Sequence, residues 1–92
     1  MHTAIHLVLN DFGRFGVALV ETDPAQADLE TVVHNMITGQ YEHPIRVDAY
    51  DILAGTAWDA SGQVAGLIAR CCDGAGLPAG VRAFCARNRV VA

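Results

Sequence analysis

Four histidines, three cysteines, ten carboxylates and a single serine are the side chains of this 92-residue chain with chemistry to offer, and their spacing decides what they can do together. His2 and His6 stand four apart. On a helix that spacing would aim both at one ion, but here they fall in an alternating strand segment, where such positions lie about 13 Å apart and cannot chelate. His34 follows Glu30 by one helical turn and can pair with it on a solvated face, and His43 precedes Pro44 in a loop. No group of His, Cys and carboxylates has metal-ligand spacing, so no metal and no other cofactor is expected. Ser61 stands with no histidine near it in sequence and reads as a helix cap rather than a nucleophile. Asp48 and Asp51 fall on opposite faces of one strand, so they cannot act as a general acid and base.

Two glycine-containing strings resemble phosphate loops without meeting their requirements. Gly13-Arg14-Phe15-Gly16 joins two strands, whereas phosphate binding needs a helix N-terminus behind the loop. Gly74-Ala75-Gly76 reads as a helix terminator with a linker. Cys71, Cys72 and Cys85 are odd in number and lack C-x-x-C spacing, so reduced structural thiols are expected, one of the adjacent pair packing inward and the other at a boundary. Lysine is absent and every cation is arginine, which rules out Schiff-base chemistry and leaves guanidinium groups to make any ionic contact. Catalysis is not expected of this chain.

The charges are unevenly placed. Eight of the ten carboxylates lie between Glu21 and Asp59 with only Arg46 among them, a local net charge of −7 within an overall −4. Residues 60–92 carry four arginines against Asp73, a local +3. A face this negative attracts cationic partners and repels nucleic acid and anionic lipid. Three C-terminal arginines beside it make a poor DNA-binding footprint, and no aromatic platform accompanies them, so direct nucleic-acid binding is not expected. No apolar run is long enough to cross a membrane and no signal peptide is recognisable, which makes a cytoplasmic protein the default.

The elements that must position these residues follow from periodicity. Residues 3–10 alternate as a strand with Thr3, Ile5, Leu7 and Leu9 on the more apolar face, predicted to meet the core, and His6 on the other. Turn residues follow, and 17–22 read as a second strand closing a hairpin. A helix is predicted from Thr22-Asp23-Pro24, with Asp28 and Thr31 as a competing start. Leu29, Val32, Val33, Met36 and Ile37 form its apolar stripe, and Gly39 stands where a left-handed C-cap belongs. Residues 45–53 form a third strand, with Val47 and Ala49 inward and Arg46, Asp48 and Tyr50 outward, broken by Gly55 and Thr56. A second helix, capped by Asp59 or Ser61 and stapled by Trp58, runs along Val64, Leu67, Ile68 and Cys71, and a third opens at Pro78. The expected architecture is a single α+β domain over 1–92, two layers in the order β-β-α-β-α-α. Its three-stranded antiparallel sheet has order 2-1-3, with helices on one face. The other face stays open, carrying His6, Arg46, Asp48 and Tyr50, and the sheet's edges leave room for a homodimer.

Three strings carry a resemblance: H-L-V-L-N-D-F-G-R-F-G, then E-T-D, then G-Q-Y-E-H-P-I-R-V-D-A-Y-D. Over about residues 5–70 they resemble a family of short, uncharacterised alphaproteobacterial proteins. In that family a Gly-Trp pair and an acidic-serine helix start follow the third strand, and Ala57-Trp58-Asp59-Ala60-Ser61 is similar apart from Ala57 in place of the glycine. The shared strings are hairpin, cap and strand signals, so the resemblance implies a fold rather than an activity. In size, charge and origin the chain is also similar to anti-CRISPR inhibitors, which cover basic surfaces of CRISPR effector complexes. That likeness implies a non-enzymatic inhibitor of a basic protein or nucleoprotein complex that blocks target-DNA binding. Asp23, Asp28, Glu30, Glu42 and Asp48 would supply the carboxylates and Tyr41 or Tyr50 the aromatic anchor. The competing expectation is a small bacterial binding or stress-response module that meets its ligand on the open sheet face through Arg46 and Tyr50, with the acids serving solubility alone. A small hydrolase would need a perturbed titratable cluster in a pocket, which no spacing provides.

Overall fold

The computed structural model describes residues 4–20, 27–71 and 76–88. Its elements, in chain order, are β1 (Ala4–Asp11), a 3-10 turn (Gly13–Phe15), β2 (Val17–Leu19), α1 (Leu29–Ile37), β3 (Pro44–Asp51), β4 (Thr56–Asp59), α2 (Ser61–Cys71) and α3 (Ala79–Arg87). The α+β class, the antiparallel sheet and the three helices agree with the sequence expectation, but the sheet has four strands in the order β2-β1-β3-β4. The added strand replaces a predicted break. The Asp51 carboxylate accepts the N–H groups of Leu53 and Ala54 while Gly55 turns back at φ +69°, and the chain returns as β4 beside β3. Trp58 therefore lies in a strand opposite Ala49 and does not staple α2.

The helix starts have local causes. Asp28 caps α1, taking the Thr31 N–H at 3.1 Å and the Thr31 hydroxyl at 2.6 Å, so the later of the two predicted starts is the one formed. The alternative at Thr22-Asp23-Pro24 lies outside the described residues. Gly39 follows the helix at φ +80°, donating to the Met36 carbonyl as a left-handed cap should. At α2, Ser61 also serves the sheet. Its hydroxyl accepts the Val47 N–H and the Ala60 N–H donates to the Val47 carbonyl, which extends the β3 ladder past the end of β4.

The core is a single layer between the sheet and the helices, built from Val8, Val47 and Ala49 below and Val32, Met36, Val64, Ile68, Val81 and Phe84 above. Cys85 packs at its margin, and burial raises its thiol pKa. Cys71 is exposed at the end of α2 rather than part of that helix's buried stripe; Ala65 takes the place beside Val64 and Ile68. The partner thiol of the adjacent pair, Cys72, lies outside the described residues.

One strand faces the opposite way from its sequence expectation. In β1 the even residues His6, Val8 and Asn10 are buried, while Ile5, Leu7 and Leu9, the more apolar set, turn to the side without helices. The register enforces this: Val8 stands opposite Val47 and His6 opposite Ala49, so the even side of β1 shares a face with the inward side of β3. The two polar residues on the buried side are accommodated because each finds a partner. His6 Nδ1 lies 3.2 Å from the Ala27 carbonyl, and Asn10 Oδ1 accepts the His43 N–H at 3.0 Å. His6 thus belongs beneath the helices and not on the open face.

Candidate functional site

The open side of the sheet brings apolar, aromatic and charged side chains together. Strand alternation places Ile5, Leu7 and Leu9 of β1 in its middle. Paired register sets Leu19 beside Leu9 and Val17 beside Asp11, which extends the apolar stripe across β2. Val17 and Leu19 are 51% and 43% exposed, and beyond them the turn presents Phe15, at 81%, with the Arg14 guanidinium 5.2 Å from its ring centre. On the other side of β1, the register puts Tyr50 opposite Ile5, Asp48 opposite Leu7 and Arg46 opposite Leu9.

Two of the charges on this face are paired with each other. Arg46 grips Asp48 in a two-point contact, Nε to Oδ1 at 2.8 Å and Nη2 to Oδ2 at 3.0 Å, and this bond raises the guanidinium pKa further above its ordinary value. Asp59, opposite Asp48 on β4, is held below the usual carboxylate range mainly by the Ser61 side chain and also by its N–H. The face is therefore an apolar stripe flanked by one bidentate ion pair and two further carboxylates, Asp59 and Asp11, each accepting a backbone N–H.

The residues expected to form one acidic binding face are dispersed. Asp28 is committed to capping α1, whereas Glu30 and Glu42 are exposed on the helix layer and the loop after it. Asp48 and Tyr50 lie on the opposite side of the sheet, and Asp23 is outside the described residues. Tyr41 is 6% exposed and belongs to the core, its hydroxyl 3.4 Å from the Asn35 amide nitrogen, so it is no surface anchor. Alternation alone turns Ile5, Leu7 and Leu9 inward, opposite to their observed side, and gives no facing to Val17 and Leu19. The signal was there in Val8: a strand with large apolar residues on both sides is covered on both sides, or is waiting to be.

A second concavity of about 380 Å³ lies where β3 begins, lined in part by Asp11, His43, Gly80 and Arg87. Arg87 donates to the Pro44 carbonyl at 2.9 Å and Asp11 accepts the Gly13 N–H, so two of its charged groups serve as braces for the chain. Among the described residues, no three His, Cys, Asp or Glu side chains come together as a metal site, and no helix is long and apolar enough to cross a membrane. Comparison with known proteins finds no matching family model, no matching curated protein and no matching solved structure.

Proposed function

We propose that this chain is a non-enzymatic protein-binding domain that docks through the bare face of its sheet. The observation that carries this reading is the inverted facing of β1, whose more apolar side turns away from the helices and is only partly covered, beside the exposed Val17 and Leu19 of β2. Exposed apolar patches of this kind mark interaction surfaces, and completing the burial of a half-buried Leu or Ile contributes about 1 kcal/mol. Arg46, Asp48 and Tyr50 form the polar flank that would set the partner's orientation. The test is affinity capture from a bacterial lysate with wild type, with Leu7→Glu/Leu19→Glu, and with Glu30→Arg/Glu42→Arg. A specific protein retained by wild type and by the helix-layer variant but lost with the sheet variant supports the reading; retention by the sheet variant overturns it.

A second reading has its own observation. Glu30 and Glu42 are exposed and take no part in the Arg46–Asp48 ion pair, which leaves both acids available to a cationic partner. In this anti-CRISPR-like reading they would occupy a basic nucleic-acid-binding surface of a bacterial effector complex and exclude DNA from it. Here the helix-layer variant loses the partner, and capture weakens between about 0.1 and 0.5 M salt as the carboxylates are screened. Asp28 is left out of that variant because reversing its charge would remove the α1 cap.

A further inference from the structure

Of the seven large apolar side chains that the described residues expose, four belong to the β1–β2 hairpin: Phe12, Phe15, Val17 and Leu19. Phe15 stands furthest out of these four, 81% exposed, on a turn whose shape is fixed from within. The Phe12 N–H donates to the Gly16 carbonyl at 2.9 Å, the Gly16 N–H to the Gly13 carbonyl at 3.0 Å, and the Asp11 carboxylate accepts the Gly13 N–H at 2.8 Å. Gly13 and Gly16 supply the left-handed φ values of +69° and +91° that the turn requires. No residue of the turn is buried, so the ring adds nothing to the core. A ring held in water on a shaped turn gives up little backbone freedom on binding, which is the condition for an anchor. We infer that Phe15 is the anchor of the docking surface and that it seats, with Arg14 beside it, in an apolar pocket rimmed by a carboxylate on a partner protein. This rests on reading the sheet face as the docking surface.

The chemistry of that pocket follows from the two side chains together. The Arg14 guanidinium lies 5.2 Å from the Phe15 ring centre, so burying the ring also takes the cation out of water. Arg14 takes no part in the Arg46–Asp48 ion pair and keeps its fork of N–H donors for an outside acceptor. A desolvated guanidinium is costly alone and favourable against a carboxylate that it can grip at two points, so the rim of the pocket must be acidic. Phenylalanine and arginine are also residue types in which protein interfaces are enriched. Val17 and Leu19 continue the contact toward Leu9, so a partner that takes the ring at the turn also lies along the stripe. An anionic membrane is the poorer occupant, since the chain carries a net −4 and the turn offers a single cation against it.

Photocrosslinking tests the anchor: the full chain with p-benzoylphenylalanine at position 15 is irradiated in a bacterial lysate, and the crosslinked peptide is sequenced by mass spectrometry. We expect one protein, joined through an apolar segment that contains Asp or Glu. Arg14→Glu should cut the yield by about tenfold or more, and Arg14→Lys, which keeps the charge but not the fork, should lose less. Both positions are exposed, so the variants should keep the circular dichroism spectrum of wild type. Crosslinks to lipid, to a second copy or to many proteins alike overturn the inference. The absence of a crosslink does so too, as does a yield that Arg14→Glu leaves unchanged. If the anchor fails while Leu7→Glu/Leu19→Glu still loses the captured protein, the docking reading stands without it; if that sheet variant retains the protein, both fall.

Discussion

Asp28 and Asp59 are the two acidic side chains whose work is most sharply defined, and both serve helix starts. Asp28 satisfies the Thr31 N–H and hydroxyl together, so Asp28→Ala should lower stability by about 1 kcal/mol in urea denaturation. Asp59 accepts the N–H of Ser61, the first residue of α2, and its carboxyl is held below the ordinary range chiefly by the Ser61 side chain. A depressed folded-state value means stabilisation that is complete well above the unfolded value near 3.9 and lost as pH falls through the folded one. The stability difference between wild type and Asp59→Asn should therefore be constant near neutrality and shrink below about pH 4. A difference that grows on acidification would contradict the assignment. Arg46 and Asp48 differ from these two: their ion pair lies at the surface, where such a pair contributes little to the stability of the fold.

At the scale of elements, α3 lies tightly against the loop preceding β3. A Cβ built on Gly80 would collide with the Glu42 carbonyl oxygen, so the helix can lie this close only with glycine there. Gly80→Ala should destabilise the domain by about 1–3 kcal/mol and lower its melting temperature, whereas Gly66→Ala, which meets nothing within 4 Å, should be neutral or slightly stabilising. The sequence made much of this level legible. The stripe of α1, the Gly39 cap and the inward Val47 and Ala49 of β3 all follow from spacing, because Arg46 and Asp48 leave β3 one apolar side. β1 was not legible in the same way. Its two sides are both apolar enough to be inward, and the choice is made by partners distant in the chain, the Ala27 carbonyl for His6 and the His43 N–H for Asn10. β4 was missed because Gly55 was read as an ending, although an Asp four residues before a left-handed glycine is also how a hairpin turns. Of the candidate site, Arg46, Asp48 and Tyr50 could be placed on the open face from alternation alone, while its apolar centre could not.

For the molecule as a whole, the two-layer arrangement separates two surfaces: a helix layer bearing Glu30 and Glu42, and a bare sheet bearing the apolar stripe. Everything in this account depends on which side of β1 is the core. Leu7 and Val8 are adjacent, similar in chemistry and assigned to opposite faces, so urea denaturation of Leu7→Glu and Val8→Glu at low micromolar concentration decides the matter. Val8→Glu should lose several kcal/mol and fail to hold the fold, because an unpaired carboxylate would enter a fully buried site, while Leu7→Glu, on the partly exposed side opposite Asp48, should cost markedly less and leave the chain folded. The reverse order of stabilities would place the odd residues in the core and contradict the docking face altogether.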